Sequence, residues 1–293
     1  MTSAVHQEPA GAGTVPAFAV EDVTVRFGGL TALDAVSLEL GAREVHGVIG
    51  PNGAGKTTLL NVCCGFQRPD TGALSRAGRP LGALAPHRLV DLGIARTLQG
   101  VGLFGGLTAL ENVMVGADRH RRTGFLAALL GLPRAEADRR ALVERARAAL
   151  DEVGAADVAD RFPASLPYGL RKRVALARAL VAEPEILFLD EPAGGLGAED
   201  IDELGRRIRT LAERTAVVLV EHHMDLVMGV CDRITVLDFG RVIAVGDPAT
   251  VRDDPAVAAA YLGEAVRDGP DGGPGAGPDA GPDDGPDDGR GPS

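Results

Sequence analysis

The octet Gly50-Pro51-Asn52-Gly53-Ala54-Gly55-Lys56-Thr57 carries the clearest chemistry in the chain. Its spacing is G-x-x-x-x-G-K-[ST], the pattern of a loop that cradles phosphates. Glycines let successive backbone N–H groups curl toward phosphate oxygens, and the start of the following helix adds a favourable dipole. Lys56 then reaches the β- and γ-phosphates, Thr57 offers a hydroxyl to Mg²⁺, and Thr58 follows on the same helix. Only Lys56 and Lys172 are lysines among 30 basic residues, so a lysine at this point of the loop is no accident of composition.

A phosphate loop needs an acidic partner at the end of a neighbouring buried strand. The run Ile186-Leu187-Phe188-Leu189 leads to Asp190 and Glu191. Asp190 is placed to hold Mg²⁺. Glu191, one residue on, is placed to take a proton from an attacking water.

The elements around these residues follow from pattern. Residues 17–27 and 35–50 read as strands, and 56–66 as a helix opened by the glycine loop. Residues 107–153, rich in Ala, Leu, Arg and Glu, show helical periodicity. The short apolar runs 185–192 and 215–222 suit buried parallel strands. Residues 233–248 read as a hairpin turning at Phe239-Gly240. Strands alternating with helices make this an α/β protein with a P-loop core.

Composition excludes several classes. The net charge is −11, and residues 268–293 hold seven Asp against one Arg. No basic stripe of the kind nucleic-acid binding needs is present. Cys63, Cys64 and Cys231 lack metal-ligand spacing and read as reduced core thiols. The first 16 residues carry no signal pattern, and the most apolar window, 124–133, is too short to span a bilayer. The expected organisation is a disordered leader over 1–16, one domain over 17–264, and a disordered acidic Gly/Pro/Asp tail over 265–293.

The order of motifs resembles the nucleotide-binding subunits of ABC transporters. Between Lys56 and Asp190 lie "ARTLQGVGLF" (95–104), a helical stretch and "SLPYGLRKRVALARAL" (165–180); after them comes "VLVEHHMD" (218–225). The resemblance implies an N-terminal antiparallel β subdomain and a helical subdomain inserted over about 100–180. It gives Gln99 the role of sensing Mg²⁺ and coupling to membrane subunits, His222 a contact to the γ-phosphate, and Phe27 the stacking face for adenine. It also implies that Leu166, Pro167, Tyr168, Gly169 and Leu170 form the signature that closes on ATP held by another cassette. There the family has Leu-Ser-Gly-Gly-Gln; Pro167 has neither a hydroxyl nor an N–H, and Leu170 lacks the amide. Gly197 stands where the family usually has Asp or Asn.

Within the family, "VRFGGLTALDAVSLEL", "EPAGGL", "EHHMDLVMGVCDRI" and "GDPATVRDDPAVAAAYLGEA" resemble importers of branched-chain amino acids. Importers of urea and short amides share much of the pattern; the ATPase of another ABC system and a weakly hydrolysing regulatory nucleotide-binding subunit are further readings. The resemblance implies ATP and Mg²⁺ as ligands and a second, distinct cassette as partner. It further implies two permease subunits, a solute-binding protein acting indirectly, and a place on the cytoplasmic face of the membrane. The insertion 119–134 falls in the part that faces the permeases in this family.

Overall fold

The computed structural model describes residues 15–97, 100–121, 123 and 132–267, with side chains to Tyr261. In β1 (Phe18–Phe27) Phe18, Val20, Val23 and Val25 are buried while Glu21, Asp22 and Arg26 face out. β1 pairs antiparallel with β2 (Leu30–Leu40) on one side and β4 (Thr71–Arg76) on the other, and β5 (Arg79–Pro80) completes a sheet ordered β2-β1-β4-β5. This is the antiparallel subdomain expected near the N-terminus.

The stretch expected as one strand over 35–50 is two. β2 ends at Leu40 and β3 runs Val45–Ile49 in a different sheet. The break is a turn in which Arg43 takes φ 59 and the Glu44 carboxylate accepts from the Gly41 N–H. A turn closed by its own carboxylate interrupts the apolar pattern too briefly for periodicity to register.

The second sheet has the order β10-β9-β3-β8-β7-β6, built from β6 (Ile94–Arg96), β7 (Ile186–Asp190), β8 (Ala216–Val220), β9 (Arg233–Asp238) and β10 (Arg241–Gly246). All pairings are parallel except the β9–β10 hairpin, which turns at Phe239-Gly240 as expected. β3, β7 and β8 are buried at every position, which is what strands covered on both faces require. Their alternate residues serve two cores. Leu187, Leu189, Val217 and Leu219 face helices, whereas Ile186, Phe188, Val218 and Val220 face the antiparallel sheet. Phe188 meets Phe18 edge to face at 5.6 Å, joining the two sheets.

Among the described residues the α-helices are α1 (Lys56–Cys63), α2 (Ala109–Gly116), α3 (Pro133–Glu152), α4 (Tyr168–Leu180), α5 (Ala198–Ala212), α6 (Met224–Val230), α7 (Pro248–Arg252) and α8 (Pro255–Arg267). α2, α3 and α4 share the helix-side core through Val113, Ala146, Leu150, Val174 and Ala177, and they form the expected helical insertion. Residues 265–267, expected to open a disordered tail, complete α8. The leader to residue 14, the tail from 268 and most of the insertion 119–134 lie outside the described residues.

All three cysteines are free and buried. Burial pushes the Cys64 and Cys231 thiols up to about 12, which keeps them protonated and unreactive.

Candidate nucleotide site

Three parallel strands end in register: Val48 lies opposite Val220, and Val220 opposite Asp190. The loop after β3, the acidic pair at the end of β7 and the histidines after β8 therefore share one edge of the sheet. Ligands of open α/β sheets bind at that edge.

The glycines of the loop are there for geometric reasons. Gly50 and Gly55 take φ 150 and φ 102, and a Cβ on them would stand 2.1 Å from the Leu237 carbonyl and 2.7 Å from the Ala32 carbonyl. Pro51 and Ala54 are buried, whereas Asn52, Gly53 and Thr57 are exposed. α1 begins at Lys56 with no side-chain cap and no acidic residue in its first turn. Lys56 is nearly buried, and its ammonium donates to the carbonyls of Gly50 (2.6 Å) and Pro51 (2.8 Å). A cation folded over a glycine-rich loop, at an uncapped helix start, fits a polyphosphate.

Asp190 is buried, and its carboxylate pairs with Arg96 at 2.8 Å. The same guanidinium donates to Asn61 on α1 at 2.8 Å and lies over the Phe66 ring. A carboxylate this enclosed requires a cation; Arg96, three residues before Gln99, supplies it. Gln99 itself lies outside the described residues.

Glu191 takes φ 47, a left-handed conformation that a glutamate adopts only under constraint. Its N–H donates to the Val220 carbonyl at 2.9 Å. Its carbonyl and that of Pro192 accept from the Lys172 ammonium at 3.0 Å and 2.8 Å. Two residues on, the Ala193 N–H donates to Glu221 at 2.6 Å.

Glu221, the residue after β8, is wholly buried. Its other carboxylate oxygen accepts from the N–H groups of His222 (2.9 Å) and His223 (3.2 Å) and contacts His223 Nδ1 at 3.0 Å. Burial alone would raise its pKa; the hydrogen bonds from Ala193, His223 and His222 outweigh that and hold it below the ordinary carboxylate value. The His223 ring is thereby engaged inward, while the His222 side chain is 54% exposed at the strand edge.

Phe27, half exposed at the end of β1, is outside both cores. Of the five signature positions, Leu166 is buried and Leu170 packs on the helix-side core, so Pro167 and Tyr168 remain at the surface with Gly169 half-buried. Pro167 is the N-cap of α4 with φ −51 and ψ 153, and no side chain caps this helix. Gly197 is likewise the uncapped N-cap of α5. The Tyr168 ring lies against Gly195 and beside Arg171 and Lys172.

Arg96, Lys172 and Glu221 carry no role in the reading from sequence. Two of them left a trace in it: lysine is rare in this chain, and "VLVE" repeats the pattern of an acid ending a buried strand that singled out Asp190.

Comparison with known proteins agrees with this geometry. The family described as "ABC transporter" matches residues 33–194, and "Branched-chain amino acid ATP-binding cassette transporter" matches 241–267. The chain is 41% identical over 252 residues to the high-affinity branched-chain amino acid transport ATP-binding protein LivG of Salmonella typhimurium, covering 85% of this chain and 99% of that one. It matches BraF of Pseudomonas aeruginosa, of the same description, at 41% over the same shares. Among solved structures it resembles the ADP conformation of an ATP-binding cassette of an ABC transporter (TM-score 0.74, 30% identity, 86% of this chain and 100% of that one). It also resembles a dimeric cassette in a post-hydrolysis state bound to ADP and Pi (TM-score 0.66, 26% identity, 79% and 98%).

Proposed function

Because the chain belongs to the ABC transporter ATP-binding family, we propose that it binds and hydrolyses ATP to drive an importer of branched-chain amino acids. The observation that carries the reading is the alignment of the Gly50–Thr57 loop, Asp190, Glu191 and His222 along one sheet edge. On binding ATP, Lys56 exchanges the carbonyls of Gly50 and Pro51 for β- and γ-phosphate oxygens. Thr57 and Asp190, with Gln99, are the residues suited to hold Mg²⁺, whose charge offsets that of the phosphates. Glu191 takes the proton of a water as its oxygen bonds to the γ-phosphorus. The bond from that phosphorus to the bridging oxygen breaks, and ADP leaves with its electron pair. His222 offers the γ-phosphate a donor, and Phe27 offers adenine an aromatic face.

The solute class is carried over from LivG and BraF and from the C-terminal match over 241–267. Among the described residues no helix is long and apolar enough to cross a membrane. The proposal accordingly assigns passage of the solute to two separate permease subunits and delivery to a solute-binding protein, with this chain on the cytoplasmic face. Its partner is a distinct cassette. In a head-to-tail pair two copies would each face Pro167 and Gly197, helix starts without a side-chain cap. A partner with an intact signature completes this chain's own ATP site instead.

Replacing the base tests the mechanism. Glu191→Gln is expected to bind ATP with near-normal affinity while hydrolysis in the assembled transporter falls about 10²–10⁴-fold. Retained turnover removes Glu191 from that role.

A further inference from the structure

Only two of the 30 basic residues are lysines, and the phosphate loop accounts for one of them. Both do the same thing. Lys56 donates to the carbonyls of Gly50 and Pro51, the two residues that follow β3. Lys172 donates to the carbonyls of Glu191 and Pro192, the two residues that follow β7. Each strand therefore ends in a residue-proline pair gripped by one ammonium group. The first grip is released when phosphate arrives; the second comes from a different element, α4, one turn past Pro167.

The object held by Lys172 is under strain. Glu191 at φ 47 lies in the left-handed region, where its Cβ crowds the backbone. Such a conformation persists only where surrounding contacts over-determine it. Here the Val220 carbonyl fixes the Glu191 N–H, Lys172 fixes the two carbonyls, and Glu221 fixes the Ala193 N–H. The Lys172 ammonium is half-buried beside the Tyr168 ring, 5.4 Å from its centroid, which limits where it can go. A compact ammonium suits two converging carbonyls; the planar fork of arginine matches carboxylates and phosphates better.

We propose that Lys172 is a positioning residue for the general base: by tying the carbonyls of residues 191 and 192 to the signature helix, it sets the direction in which the Glu191 carboxylate meets its water. The inference rests on the reading of Glu191 as the base. It assigns to the body of α4 a role in hydrolysis within its own chain, separate from whatever the start of α4 does for a partner.

The test is ATP hydrolysis by the full chain in its assembled transporter, with Lys172→Met, Lys172→Gln and Lys172→Arg, each alone and combined with Glu191→Gln. ATP affinity and Tm are measured alongside. Lys172→Met is expected to lower kcat about 10–100-fold while KM for ATP stays within about twofold. Lys172→Arg, which keeps the charge and donors but not the compact ammonium, is expected to recover only part of that loss. If Lys172→Met does not fold, Lys172→Gln against Lys172→Arg makes the same comparison. Added to Glu191→Gln, the substitution is expected to cost nothing further, because two residues acting through one step are non-additive. A normal kcat in Lys172→Met beside an inactive Glu191→Gln overturns the proposal. So does an equal loss in both backgrounds, which would mean that Lys172 acts elsewhere. An active Glu191→Gln overturns the base assignment first, and this proposal with it.

Discussion

The starts of α1 and α2 meet the same physical demand in opposite ways. A helix leaves its first N–H groups without intrahelical partners. α2 satisfies its own: the Thr108 hydroxyl accepts from Glu111 N–H at 3.2 Å while the Glu111 carboxylate accepts from Thr108 N–H at 2.8 Å. α1 has no side-chain cap and no acid in its first turn, and it follows a loop of three left-handed glycines. α4 shares this state, with Pro167 as its N-cap. Every other described α-helix has a capping side chain or an acidic residue at its start, from Glu136 on α3 to Asp247 before α7 and Asp254 before α8. An acid at the start of α1 or α4 would repel an incoming anion. The two starts left open are those at the proposed phosphate loop and at the proposed signature.

That contrast can be broken most forcefully at Lys56. Lys56→Ala removes the cation at the open start of α1, and ATP affinity measured by calorimetry is expected to fall about 10²-fold. Undiminished affinity would mean that the loop is not the site.

The open start of α4 allows a gain instead of a loss. Pro167→Ser supplies a hydroxyl at the N-cap, where it can cap α4 or reach a nucleotide on a partner. A restored charge-assisted hydrogen bond is worth about 1.5–3 kcal/mol, so turnover of the chain without its partner cassette should rise up to about 10–150-fold. Full activity of the unpaired chain, unchanged by Pro167→Ser, would return Pro167 to the status of a plain helix start.

The smallest effect is expected at the closed start. Thr108→Ala removes the capping box, should cost about 0.5–2 kcal/mol of stability and should leave ATP affinity unchanged. Thermal unfolding with and without nucleotide separates the two. A loss of ATP affinity there would erase the distinction between open and closed helix starts.

What could be read in advance divides along a physical line. The glycine loop between β3 and α1, the acidic pair at the end of β7 and the β9–β10 hairpin are local in sequence, and each stands at the strand end or turn where its residues predict. The turn at 41–44 escaped because only four residues interrupt an otherwise continuous apolar pattern. Arg96 with Asp190, Lys172 with Glu191 and Pro192, and Glu221 with Ala193 join residues 94, 19, 20 and 28 positions apart. No periodicity or spacing encodes such pairs; the fold brings them together once the parallel strands align their ends. Pro167 and Gly197 stood out as departures from a family pattern, but that each is the N-cap of a helix became visible only with the backbone.

α4 is 13 residues long, with Pro167 before its first turn and Lys172 in its second. A helix is stiff over so short a distance, so a tilt imposed at its start is passed undamped to the lysine that grips residues 191 and 192. If the start of α4 reads a partner's nucleotide and Lys172 aims Glu191, as proposed, then in a head-to-tail pair the start of α4 would meet the nucleotide of one site while its lysine aims the base of the other. Such a cassette would work as a coincidence detector. Hydrolysis at one site would wait for occupancy at its neighbour, and an ATP that arrives alone would be held without being spent.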